Sequence, residues 1–94
     1  MQTFVMFGRY SAEGAQGISA ARTGKATEVV KKCGGEIRSV YALLGKSDVL
    51  LIADFPGVKE AMKASLGLNQ LTGLALNTSP AVSVEEFDKL ASQA

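Results

Sequence analysis

Histidine and tryptophan are absent from this 94-residue chain, and cysteine occurs once. The missing imidazole excludes Ser-His-Asp and Cys-His catalysis within the chain and removes the commonest general base and metal ligand. A lone thiol, Cys33, cannot form an internal disulfide or, within one chain, a thiolate metal cage. It reads as a small hydrophobe at a helix end. Charge of one sign is missing too: the net charge is +1, lysine and arginine are dispersed, and six aromatic residues (four Phe, two Tyr) give few stacking platforms. Nucleic acid is therefore not an expected partner. No apolar run approaches the roughly 18 residues needed to span a membrane, and Met1-Gln2-Thr3 leads straight into a strand-like segment without a basic and apolar leader. The expectation is a cytoplasmic protein without a membrane partner.

What is present is an ordinary globular composition, 47% hydrophobic and 20% charged, in a length that suits a single domain over 1–94. Thr3 to Tyr10 is apolar on both alternating sets, Phe4 and Met6 on one and Val5 and Phe7 on the other, which predicts a strand covered on two faces. Ser11 to Gly17 reads as a loop or a broken first turn. From Ile18 to Cys33 the residues Ile18, Ala21 or Arg22, Ala26, Val29, Val30 and Cys33 recur at helical spacing. Gly34-Gly35 should end that helix, and Lys31 and Lys32 suit its negative end.

Glu36 to Leu44 and Asp48 to Phe55 read as two antiparallel strands joined by the turn Gly45-Lys46-Ser47. Pro56-Gly57 opens a second helix, predicted to run to about Leu66 and stop at Gly67. A fourth strand is expected over Gln70 to Asn77, broken by Thr78-Ser79-Pro80. Ser83-Val84-Glu85-Glu86 matches a capping box for a short terminal helix carrying Val84, Phe87 and Leu90. The order is β-α-β-β-α-β with a C-terminal helix, the split arrangement of a ferredoxin-like α+β fold with a four-stranded antiparallel sheet. One sheet face would lie under the helices. The other face is also apolar, with Val49 and Leu51 alternating against Leu50 and Ile52, so it needs a cover: a homo-oligomer built on a sheet-to-sheet dimer, or the terminal helix folded over a monomer.

With that order in hand the chain resembles the GYD-domain family. The likeness runs from the first strand to Glu85-Glu86-Phe87, and rests on the strand ending at Tyr10, Gln16-Gly17-Ile18, Gly34-Gly35-Glu36, Leu44-Gly45, Asp48-Val49, and Leu66-Gly67 with Asn69. The resemblance implies a dimeric α+β barrel type of fold and an oligomer more than an activity. At the name-giving Gly-Tyr-Asp motif, Ser47 stands where the tyrosine belongs, while Gly45 and Asp48 can still serve the turn.

Chemical constellations are sparse. Gly24-Lys25-Ala26-Thr27 fails as a phosphate loop, because Ser19 replaces the first glycine and Ala26 the metal-binding hydroxyl, so no nucleotide cofactor is expected. Asp54, Glu36, Glu60, Glu85, Glu86 and Asp88 lack the alternating spacing of a calcium loop and predict no metal site. Asp48 fits a turn-capping carboxylate or a buried acid facing a pocket. Arg9, Tyr10 and Tyr41, with Asp48, are the candidates for the few polar groups of a mostly apolar ligand site, although wetted strand ends explain Arg9 and the two tyrosines more simply. Three readings follow: a small-molecule binding or regulatory module, a cofactor-independent enzyme on a small apolar substrate using these residues, and a purely structural assembly unit without a cavity.

Overall fold

The computed structural model describes residues 1–94. Strand β1 (Gln2–Tyr10) is followed by a one-turn helix α1 (Ala12–Gln16), helix α2 (Ala20–Lys32), strands β2 (Glu36–Ala42) and β3 (Val49–Phe55), helix α3 (Val58–Thr72), strand β4 (Leu74–Ala81) and helix α4 (Val84–Gln93). The four strands form one antiparallel sheet in the order β2-β3-β1-β4. No helix is long and apolar enough to cross a membrane.

The period of two decides what each face carries. Phe4 lies opposite Ala53, and Met6 opposite Leu51, on the side covered by α2 and α3; there they join Val30, Phe55, Ala61, Ala64 and Leu68 in the core. Phe4 and Phe55 pack edge to face with ring centroids 5.9 Å apart, near the end of the sheet where β1 begins. The intervening residues Val5 and Phe7 lie opposite Ile52 and Leu50 on the other face. That face is open: Phe7 remains 42% exposed, and α4 does not fold across it.

Several boundaries differ from the sequence expectation. The Ser11 to Gly17 segment holds a helical turn, because the Ser11 side chain accepts the Gly14 N–H at 3.0 Å as an N-cap. Helix α2 starts at Ala20 rather than Ile18, with Ser19 capping the Arg22 N–H. Gly67 does not end α3. The helix continues to Thr72 and stops at Gly73, whose φ of 75° is the left-handed cap conformation. At Gly67 a Cβ would lie 2.9 Å from Cγ1 of Val29, so the glycine marks the close approach of α3 to α2. The fourth strand is shifted accordingly, to Leu74–Ala81, and includes Thr78-Ser79-Pro80 instead of breaking there. Its place at the sheet edge explains the tolerance of Pro80, since an edge strand can leave one side of its backbone unpaired.

Candidate functional site

Helix α2 packs on α3 and barely covers the edge strand β2, so the helix-side face of β2 is left short of a roof; Val40, on that face, is 52% exposed. The result is a cavity of about 560 Å³ between the helices α1, α2 and the end of α3 and the helix side of the sheet, from β2 across to β4. Its floor is Val49, Leu51, Leu74 and Leu76, and its walls include Val30, Ala26 and Ile18. Leu51, Val30 and Leu68 belong both to this cavity and to the core, so the helix side of the sheet is filled at the Phe4–Phe55 end and hollow at the Tyr10 end.

The roof over the hollow end is held by α1. The Ser11 N–H donates to the Gly73 carbonyl at 3.0 Å, and a Cβ at Gly14 would lie 2.4 Å from the Thr72 carbonyl oxygen. These contacts pin α1 to the α3–β4 corner and leave Ala12, Ala15 and Ile18 on the cavity side.

Polar groups gather at the same end. Asp48 lines the cavity, and its Oδ2 accepts the Tyr10 N–H at 2.9 Å. Its backbone N–H donates to the Gly8 carbonyl and its carbonyl accepts from Leu43 N–H, both at 2.8 Å. Asp48 therefore stitches the β2–β3 turn to β1, a capping role exercised across strands rather than within the turn. Tyr10 also lines the cavity, with the guanidinium carbon of Arg22 5.4 Å from its ring centroid.

The other candidates are arranged differently. Tyr41 borders the cavity at its β2 rim, yet the register sets it opposite Leu50, in line with the open face, and no hydrogen bond joins it to Asp48. Arg9 lies outside the cavity and donates from Nη1 to the Lys46 carbonyl in the turn. Gly45, at φ 133° and with open space around it, serves the turn geometry alone. Ser47 borders a shallow depression beside Phe7, Leu43 and Asn77. Tyr10 and Asp48 are thus brought together in the cavity, Tyr41 stands at its edge, and Arg9 does not join them.

The residue that the sequence reading passed over is Arg22, entertained only as an alternative to Ala21 on the apolar stripe of the helix. It lines the cavity, and its Nη2 is buried without a hydrogen-bond partner. The signal was there: a cation in the stripe Ile18, Arg22, Ala26, where a fully packed helix face would carry an apolar side chain.

Outside the cavity, Asp54 is buried on the open face, where it accepts from Thr3 Oγ1 and from Arg38 Nε, each at 2.6 Å. The Thr3 hydroxyl, followed by the Arg38 guanidinium, holds its carboxyl below the usual carboxylate range. Arg38 is raised in turn, chiefly by the hydrogen bond to Asp54.

The sequence model of the GYD domain matches residues 4–91, nearly the whole chain. The chain belongs to the GYD-domain family. The match takes in the elements that build the cavity, from Phe4 in β1 through β4, and most of α4. No curated protein matches the chain.

Proposed function

We propose that this GYD-domain protein is a cytoplasmic small-molecule binding or regulatory module that works as a homodimer, with two ferredoxin-like sheets packed face to face in the dimeric α+β barrel manner. The observation that carries the reading is the hollow half of the helix-side face: an apolar cavity of about 560 Å³ with Tyr10, Asp48 and Arg22 at one end. Ligand sites have this character, a greasy enclosure with a few placed polar groups. The strand order β2-β3-β1-β4 supports the ferredoxin-like part of the proposal.

Two features support a second copy as the cover of the open face. Val5, Phe7, Leu50 and Ile52 are neighbours on that face, and α4 does not cover them. Helix α4 itself points an apolar side outward, with Phe87 62% exposed, so two unpartnered apolar surfaces await one association.

A purely structural unit has no need of a cavity, which weighs against that reading. An enzyme using Tyr41 with Asp48 needs both on one reacting group; both border the cavity, but Tyr41 stands at its rim in line with the open face and no hydrogen bond joins the two, which weighs against that reading.

Native mass spectrometry of the freshly purified protein tests the proposal. The expected spectrum is a dimer, or a multiple of one, carrying a small additional mass that collisional activation removes. A bare monomer at micromolar concentration would overturn the dimer, and a ligand-free oligomer would favour the structural unit.

A further inference from the structure

We infer that the cavity ligand is an apolar small molecule bearing one carboxylate, held by the Arg22 guanidinium, a conclusion that rests on reading the cavity as a ligand site. Arg22 occupies the first turn of α2 and faces the cavity. The Tyr10 ring lies against its guanidinium, and Gly17 leaves it room: a Cβ there would come within 2.6 Å of Nη1. The side chain is thereby placed on one side by an aromatic face and on another by a bare backbone.

Its hydrogen-bonding capacity is unspent. The protein contains one ion pair, Arg38 with Asp54, and Arg22 is not in it. Nη2 is shielded from solvent without an acceptor, an arrangement that costs free energy unless something supplies one. Asp48 lines the same cavity but makes no ion pair with Arg22, and one of its oxygens is engaged by the Tyr10 N–H. A carboxylate matches the planar fork of a guanidinium in two parallel hydrogen bonds, and the positive end of the α2 dipole adds to the attraction. The rest of the ligand is mostly apolar, since the remaining lining is dominated by hydrophobic side chains such as Val30, Leu51, Leu74 and Leu76, with hydroxyls from Ser19, Thr23 and Thr27 among them.

Octanoate and octanol, equal in chain and different in head group, are the probes. Each is titrated into the wild-type protein and into Arg22→Met, with amide chemical shifts reporting both affinity and site. The expected result is that octanoate binds the wild type about tenfold or more tightly than octanol, with shifts at cavity residues, and that the preference falls below about twofold in Arg22→Met. Equal affinities in the wild type would overturn the carboxylate inference and leave the cavity as a site for neutral apolar molecules. Failure of both probes to bind at the cavity would overturn the ligand-site reading with it. Should Arg22→Met not fold, the wild type decides alone: the Arg22 Nε–H resonance must shift on octanoate binding and not on octanol binding, and an unmoved resonance counts against Arg22 as the cause of the preference.

Discussion

Asp54 shows how a single carboxylate can shape the pH response of this protein. Its folded-state pKa is depressed, first by the Thr3 hydroxyl and then by Arg38. The ionised form is therefore favoured by folding, and its contribution is present above the unfolded-state pKa and lost as pH falls through the lower folded-state value. The affected window lies at and below the ordinary carboxylate range. Asp54→Asn keeps the side-chain shape and an acceptor for Thr3 while removing the titration. Urea midpoints measured across the acid range should decline less steeply in this variant than in the wild type; parallel declines would assign the acid sensitivity to other groups. Because Arg38 is largely exposed, solvent screens the pair and its net effect at neutral pH is expected to be modest.

At the scale of elements, glycine has opposite meanings at different positions, and this is where the sequence was hardest to read. Gly24 lies within α2 with nothing close enough to meet an added Cβ, so Gly24→Ala should stabilise the protein by about 0.5–1 kcal/mol through helix propensity. Gly73 adopts φ 75°, and a Cβ there would lie 2.5 Å from Ser11 Oγ. Gly73→Ala should destabilise by about 1 kcal/mol or more, because it strains the cap and disturbs the α1 contact over the cavity. Urea titration of the two variants should give midpoint shifts of opposite sign; two shifts of the same sign would refute the assignment. From sequence alone Gly67 looks like the helix end, and Gly73 falls inside the expected fourth strand. The contact of Gly67 with Val29 is tertiary, from another helix, and no local pattern announces it. Pro80 misled for a related reason, since whether a proline breaks a strand depends on whether the strand lies at an edge. By contrast β1, the β2–β3 turn and α4 were legible, because their patterns are local: alternation, a glycine turn and a capping serine that accepts the Glu86 N–H at 3.1 Å.

The whole molecule is long for its chain length, 48 × 30 × 17 Å, with a radius of gyration of 14.1 Å. A compact domain of this size would have a radius near about 12 Å. The projecting α4 fits that excess. An extended outline joined to an open apolar sheet face is the shape the proposed dimer calls for. Phe7→Asp, which places a charge at the centre of that face, should convert the proposed dimer to monomer in analytical ultracentrifugation at micromolar concentration while leaving the helix content unchanged. A variant that sediments as the wild type does would remove this face from the interface. The second apolar face was legible in the sequence through its doubly apolar strands. It did not show the cavity, which exists because α2 sits over α3 and leaves β2 exposed, a matter of helix placement rather than of residue pattern.

Leu43 belongs to two surfaces at once, the cavity wall and the shallow depression beside Phe7, and Asp48 ties its loop to β1. The loop borders both the inside of the domain and the face proposed to pair. If a ligand and a second copy occupy those places, each one leans on the same few residues. Thermodynamic reciprocity then makes any help the ligand gives to pairing equal to the help pairing gives to the ligand. The protein would in that way act as a messenger, converting the concentration of a metabolite into a count of partners.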